Sequence, residues 1–318
     1  MDLPEVLIAE EMKTRKISAA LTIVTAGATY LDIDAYACMI ATTELLRLQG
    51  VEAVAWSDAP CNYSVCPSLM QEGLVCKEQP SGNAQYIIVD VSDPEYLAQS
   101  VQLEQIAAIF DHHVGFEDYW RDRIGHNAHI EFIGAAATLI YREWKKAGLQ
   151  NRMAPETARL LTAAILDNTL NLSSANTTPE DITAFRELCS HGGVDAHWCA
   201  GYFSQVQAGM AADLRRALLN DTKRIHANPV LPPKVAQLCV WDAEDILCRL
   251  PEIRSWMDGT WMLNLIDIQN QCSWFVCDDS ASQKKITHLF GVVFENGVAR
   301  TDTPYLRKEI IKRTLDHQ

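Results

Sequence analysis

The sequence has no Cys-x-x-Cys pair, no internal repeat, no low-complexity tract and no long apolar run near its start. Each absence removes a class. Ten cysteines suggest a disulfide framework in a secreted chain, but the closest pairs, Cys61/Cys66 and Cys272/Cys277, are each separated by four residues. They read instead as reduced, buried thiols of a cytoplasmic protein. The opening "MDLPEVLIAEEMKTRKIS" carries acids early, so neither a signal peptide nor a membrane span is expected there. Positive charge is also short: 27 Lys and Arg stand against 41 Asp and Glu, a formal net charge of −14. General binding to nucleic acid needs a basic footprint that this balance does not offer. What is present is a 318-residue chain with 48% hydrophobic and 21% charged residues, the make-up of a globular protein with room for two domains.

Strands and helices alternate along the first part. "LTIVTAG" reads as a strand, followed by the loop "ATYLD" and a helix on which Ile33, Tyr36, Ala37 and Ile40 recur before Gly50 stops it. "VEAVAW", "QYIIVD" and "QIAAIF" read as further strands, and "GAAATLIYREWKKAG" and "PETARLLTAAIL" as helices. Pro155 suits a first helical turn, and Thr178, Pro179 and Asp181 suit a cap for the next helix. The alternation predicts an α/β fold with a mostly parallel N-terminal sheet. "HGGVD" (191–195) breaks the chain, and a long helix is predicted from about Asp195 to Ile225. Strands at "VAQLCVW", "WMLNLID", "CSWFVC" and "THLFGVVF" and a final helix at "YLRKEIIKRTL" then build a smaller C-terminal α/β domain. Either "HGGVD" or "NPVLPP" can serve as the linker; a division into 1–190 and 191–318 is the expectation.

In open parallel sheets ligands bind beyond the carboxyl ends of the strands. Asp32 and Asp34 lie in the loop after the first strand, Asp90 ends "QYIIVD", Asp111 opens Asp-His-His after the fourth strand, and Asp167 ends an apolar helix. Any one of these acids alone reads as a cap or a turn residue. Gathered without a counterion they repel and raise one another's pKa values. Two divalent cations remove that difficulty, and oxygen with imidazole donors suits Mn2+ or Mg2+.

The ordered motifs "YLDIDAYACMIA", "YIIVDVSDPEYL", "IFDHHVGF" and "LLTAAILDNTLNLSSANTTPED" resemble those of the DHH phosphoesterase superfamily. Within it, the resemblance is to the branch of family II, manganese-dependent inorganic pyrophosphatases and exopolyphosphatases. "ALLNDTKRI" resembles that branch's lysine-bearing helix, and "TDTPYLRKEIIKRTL" its Arg-Lys motif. The resemblance implies an N-terminal DHH domain that holds metal, a smaller C-terminal domain that grips phosphate, and an active site in the cleft between them. It makes Asp32, Asp34, Asp90 and His112 metal ligands, with Asp90 bridging two ions, and His113 a phosphate contact. Lys223, Arg307 and Lys308 hold phosphates, and Asp111 supports the metal-binding imidazole or the strand end. Mn2+ or Mg2+ is implied, with Co2+ compatible; a bridging hydroxide then attacks phosphorus in line while cations offset charge on its oxygens. Domain closure assembles such a divided site around pyrophosphate or a short polyphosphate. The superfamily also admits homodimers.

Two motifs depart from the pattern. "GATYLDID" puts Ala28 where the pyrophosphatases resemble one another in carrying a metal-ligating His. "LDNT" puts Asn168 where straight alignment asks for the last ligand, with Asp167 one residue earlier. One helix step rotates a side chain by about 100°, so only one of the two easily faces the metals, and charge favours Asp167. His126 and His129 fall between motifs, where they can line the site but read as non-catalytic, and His191 and His197 flank the proposed linker with no assigned role. The functional expectation is hydrolysis of a phosphoanhydride, exopolyphosphatase-like or pyrophosphatase. A phosphodiesterase acting on short nucleotides is a rival, weakened because no glycine-rich, His-containing motif follows residue 230. A degenerate member that binds phosphate or nucleotide without turnover is the rival from another class.

Overall fold

The computed structural model describes residues 21–73, 75–80, 82–225 and 228–316. The N-terminal stretch on which the leader and membrane reading rests lies outside them. Among the described residues no helix is long and apolar enough to cross a membrane. The chain forms two compact units, one ending at Cys199 and the other beginning at Ala200.

The first unit is built on a five-stranded sheet of β1 (Leu21–Thr25), β2 (Ala53–Ala55), β3 (Ala84–Val89), β4 (Ile106–Asp111) and β5 (Ala128–Ile130), in the order β2-β1-β3-β4-β5. Every pairing is parallel, so the α/β expectation holds here. All six positions of β3 and of β4 are buried, as both faces of a parallel sheet are when helices cover them. One face collects Ile23, Tyr86, Ile88 and Ile109 around the fully buried Trp120 of α2 (Glu117–Ile124). Glu117 and Asp118 form the first turn of that helix, where acids favour a helix N-terminus. The helices α1 (Ile33–Leu48), α3 (Ala136–Lys146), α4 (Pro155–Asn168) and α5 (Pro179–Gly192) pack on one another. Trp144 locks α3 to α1 by donating its indole N–H to the Ala41 carbonyl at 3.2 Å.

One buried acid organises the start of α3. Asp181 is 0% exposed and completes the capping box with Thr178 at the head of α5. Its carboxylate also accepts from the Gly134 backbone N–H at 3.0 Å and the Thr138 hydroxyl at 2.6 Å. A Cβ at Gly134 would stand 2.6 Å from Asp181 Oδ2, so only glycine admits this close approach. Asp181→Ala leaves these donors unmet in a dry interior and is expected to cost about 3 kcal/mol. Urea unfolding measures it, and a loss below about 1 kcal/mol would count against this account.

Two helices, α6 (Ala196–Ala212), which begins in the first unit and runs on into the second, and α7 (Leu214–Asn220), replace the single long helix predicted from Asp195 to Ile225. Asp213 breaks it by accepting from the Arg216 N–H as the cap of α7. The chain then enters β6 (Thr222–Arg224), followed by β7 (Lys234–Val240), β8 (Trp261–Asp267) and β9 (Cys272–Val276). "THLFGVVF" is not a strand: its first half ends α8 (Ser280–Phe290), and Gly291 caps that helix at φ 70°. The strand comes later, as β10 (Val298–Arg300), after a turn in which Asn296 and Gly297 both have positive φ and Glu295 and Val298 exchange backbone hydrogen bonds. Asn-Gly is the residue pair such a two-residue turn selects. The sheet order is β10-β9-β8-β7-β6, with only β7 and β8 parallel. Its core joins Val235, Met262 and Phe275 to Ile286 of α8 and Ile310 of α9 (Arg307–Asp316). All ten cysteines are free thiols; Cys38, Cys66, Cys272 and Cys277 are buried, whereas Cys76 and Cys248 are exposed.

Candidate metal centre

Three loops at the carboxyl ends of β1, β3 and β4 bring the acids and imidazoles together. After β1, Asp32 is the N-cap of α1, in extended backbone, and accepts from the Ala35 N–H at 3.0 Å. Asp34, in the first turn, is 0% exposed. It reaches to the next helix and accepts from the first two amides of α3, Ala136 and Ala137, both at 2.8 Å. Those N–H groups have no partner inside their own helix, so an acid from elsewhere satisfies them. Cys38, one turn beyond Asp34, adds a thiol contact at 3.4 Å. Helical spacing alone makes that pair legible.

After β3 the chain turns sharply at Asp90, whose φ of 58° lies in the left-handed region. Aspartate tolerates this conformation better than most residues, but it remains strained. Asp90 Oδ1 is buried and has no hydrogen-bond partner. His112 lies with its Nε2 3.4 Å from that oxygen and 3.9 Å from Asp34 Oδ2. The other ring nitrogen, Nδ1, is 3.2 Å from the Ile133 carbonyl. A carbonyl only accepts, so Nδ1 donates to it, and Nε2 is the ring nitrogen turned toward the carboxylates. Nε2 is therefore the atom this ring can offer to a metal.

Asp111, at the end of β4, holds the imidazole of His113. Its Oδ1 accepts from both the His113 backbone N–H, at 3.0 Å, and the His113 ring Nδ1, at 2.9 Å. Asp111 therefore orients His113, while the carbonyl of Ile133 orients His112. That carbonyl lies beyond a three-residue strand, and no sequence signal marked it. Asp90, His112 and His113 each place one donor atom within 4.8 Å of the others. His113, expected as a phosphate contact, thus also stands beside the candidate ligands, with its side chain 62% exposed.

Burial and crowded charge set the electrostatics. Desolvation, then the Asp32 charge, pushes the Asp34 carboxyl from its ordinary value up to about 7. Desolvation followed by the charges of Asp32, Asp34 and Asp111 holds Asp90 well above the carboxylate range. Burial alone would raise Asp111, but the hydrogen bond and charge of His113 bring it below the ordinary range. Desolvation would likewise lower His113, yet Asp111 raises it. A buried carboxylate oxygen without a hydrogen-bond partner, two acids that resist ionisation and an imidazole with Nε2 turned inward form a donor set that suits hard or borderline divalent cations. The residues therefore fit the metal that the motifs imply.

The remaining predicted residues divide. Asp167 and Asn168 end α4 and are half-buried. Among the described residues neither they nor Asp32 and Asp34 join the compact group formed by Asp90, His112 and His113. Asn168 donates back to Ala164 in its own helix at 3.3 Å. The chain after them is strained, with Leu170, Asn171 and Leu172 all at positive φ. In the second unit, Lys223 is exposed on β6 and not on a helix, because the helix predicted to carry it ends at Asn220. Lys308 is exposed in the first turn of α9. Arg307 is buried and donates to the Asp221 carbonyl and carboxylate, both at 2.6 Å, and to the Val235 carbonyl at 3.3 Å. His129 stacks on Phe110 at 4.5 Å, and desolvation, with Lys146 second, pushes its pKa down to about 4. His191 binds the Met153 carbonyl at 2.6 Å.

Ala28 lies in the β1–α1 loop, where its N–H donates to the Tyr96 carbonyl at 2.8 Å. If this is the position of the missing histidine, Ala28→His is expected to tighten Mn2+ binding by about tenfold or more. Calorimetry tests this, and unchanged affinity would remove Ala28 from the site.

No family model matches the sequence. Named relatives do. The probable manganese-dependent inorganic pyrophosphatase of Deinococcus radiodurans is 24% identical over 311 residues, 90% of this chain and 95% of the relative. Proteins of the same name from Exiguobacterium sp. and Bacillus velezensis are 24% and 26% identical over 241 and 248 residues, covering 74% and 72% of this chain and 77% and 75% of their own. Among solved structures, a putative family II inorganic pyrophosphatase from Methanococcus jannaschii superposes with a TM-score of 0.62 at 16% identity, covering 92% of this chain and 98% of its own. An exopolyphosphatase-related protein from Bacteroides fragilis gives 0.50 at 12%, covering 99% and 97%. At such identities the structures show the fold. Relatives and fold together bear out the resemblance carried by the motifs.

Proposed function

From its kinship with the family II pyrophosphatases and exopolyphosphatases of the DHH superfamily, we propose that this chain is a metal-dependent hydrolase of phosphoanhydride bonds. Its substrate is pyrophosphate or a short polyphosphate, its metal Mn2+, with Mg2+ and Co2+ as alternatives, and its compartment the cytoplasm. The observation that carries the reading is Asp90, held at positive φ with a buried, unpartnered oxygen facing the His112 ring. Strain of this kind persists where the surroundings impose it, and it concentrates at functional sites.

In this reading Asp32, Asp34, Asp90, His112 and Asp167 would hold two divalent ions, whose charge would neutralise phosphate oxygens and activate water. The α3 amides fix Asp34 so that it does not swing away when charged. His113 holds its proton against Asp111 and offers the other edge of an exposed ring to a substrate phosphate. Lys223, Arg307 and Lys308, on the 191–318 side of a division near 190–195, grip the remaining phosphates. Arg307, already anchored by Asp221, acts as a fixed charge, and the exposed Lys223 and Lys308 as movable ones. Asp167→Ala is expected to lower the bound Mn2+ measured by elemental analysis and Asn168→Ala to leave it in place; the reverse would reassign the ligand.

Phosphate release from pyrophosphate, tripolyphosphate and a nucleotide panel, each with Mn2+, Mg2+ and Co2+, tests the function. Ala28 favours a second reading, a protein that binds phosphate without turning it over. Saturable binding with no release from any substrate would establish that alternative and refute the first.

A further inference from the structure

The first unit carries a pocket of about 470 Å³ that the motifs do not account for. It lies beyond the carboxyl ends of β1 and β2: Ala28 from the loop after β1 and Trp56, next after β2, are among its walls. In the sheet order β2-β1-β3-β4-β5, β1 stands between β2 and the strands that carry Asp90, His112 and His113. The loop that lines the pocket at Ala28 runs on to Asp32 four residues later. The pocket therefore belongs to the same end of the sheet as the metal centre, displaced to the β2 side. Its size lies within the range of small-molecule sites.

The lining argues about what fits. Asp58 and Lys77 contribute one charge of each sign, and Gln99 and Ser100 add neutral donors and acceptors. Lys77 Nζ already donates to the Ala59 carbonyl at 2.7 Å. A phosphate here would meet one occupied cation and an opposing carboxylate. A neutral group with hydroxyls and ring nitrogens would instead find both donors and acceptors. Trp56, a residue 2% exposed, adds the edge of an aromatic wall to this polar lining.

We propose that this pocket is a subsite holding the neutral, hydrogen-bonding part of an organic phosphoanhydride, a nucleoside diphosphate in chemical class, which the site takes in preference to a bare inorganic chain. The proposal rests on Asp90, His112 and His113 forming the phosphoanhydride centre. Hydrolysis adds one water across the P–O–P link, giving nucleoside monophosphate and phosphate.

Calorimetry on the full chain with Mn2+ tests it, using two probes that resist hydrolysis: adenosine 5′-(α,β-methylene)diphosphate and methylenediphosphonate. The nucleoside probe is expected to bind at least about tenfold more tightly. Ser100→Trp, which fills the pocket, is expected to abolish that preference, and Gln99→Ala, which adds no bulk, to reduce it about threefold. Equal affinity for the two probes, or a preference that survives both substitutions, overturns the subsite and leaves the proposed function standing. Binding of neither probe overturns both.

Discussion

Asp90→Asn is expected to abolish hydrolysis and, in the metal-free protein, to raise stability. The substitution is nearly isosteric, and Asn tolerates the left-handed φ of 58° that Asp90 adopts. What changes is charge. Desolvation and the carboxylates of Asp32, Asp34 and Asp111 all oppose ionisation of Asp90, so a neutral amide relieves repulsion. Thermal unfolding without metal should show a gain of about 1–2 kcal/mol, the range typical when functional strain is removed. The same change deletes the anionic donor that faces His112 Nε2. The Mn2+-induced rise in melting temperature should disappear, and kcat/KM should fall by about 10³ or more, as when a group stabilising transition-state charge is lost. A variant that keeps its Mn2+ shift would show that Asp90 is no ligand. One that loses activity without gaining metal-free stability would show that the site is not under electrostatic strain.

The parts of this site that the sequence revealed, and those it hid, differ for a physical reason. Asp32, Asp34, Asp90 and the Asp111–His113 run were legible because long apolar strands announce their own ends, and ligand sites of parallel sheets lie there. The partners of those residues were not legible. Whether Asp111 held His112 or His113 depends on side-chain direction after the strand, and the Ile133 carbonyl that orients His112 belongs to a turn with no side-chain signature. The strands Ala128–Ile130, Thr222–Arg224 and Val298–Arg300 are three residues each, too short for alternation to register. Lys223 was placed on a helix for that reason. "THLFGVVF" failed differently: a short apolar run does not say whether it is helix or strand, and the Asn296-Gly297 turn that marks the strand was the better signal.

The metal-free protein should lose stability as pH rises from about 4 to about 7, and Mn2+ should restore it. The Asp34 carboxyl titrates near 3.8 in an unfolded chain but at about 7 when folded. Below both values the group is protonated in each state and contributes nothing. Between them the unfolded chain releases its proton while the folded one retains it, so the folded state binds more protons and stability falls with rising pH. Above about 7 the loss is complete, and the gap corresponds to about 4 kcal/mol at most. Asp90, also raised, acts with the same sign. Asp111 has the opposite sign: its lowered carboxyl contributes above the ordinary carboxylate range and is lost as pH falls. His113, raised, contributes below the imidazole range and is lost as pH climbs through its folded value. The two raised acids and His113 therefore all weaken the metal-free fold toward neutral pH, where divalent ions bind ionised carboxylates best. At pH 7.5, Mn2+ at about 1,000 times its dissociation constant should return about 4 kcal/mol. At pH 5, where the acids keep their protons and oppose metal binding, the same ion should return far less. Melting curves across pH with and without Mn2+ give both slopes. A metal-free profile flat from pH 4 to 7, or an Mn2+ effect independent of pH, would show that these carboxylates do not share one ion-binding site.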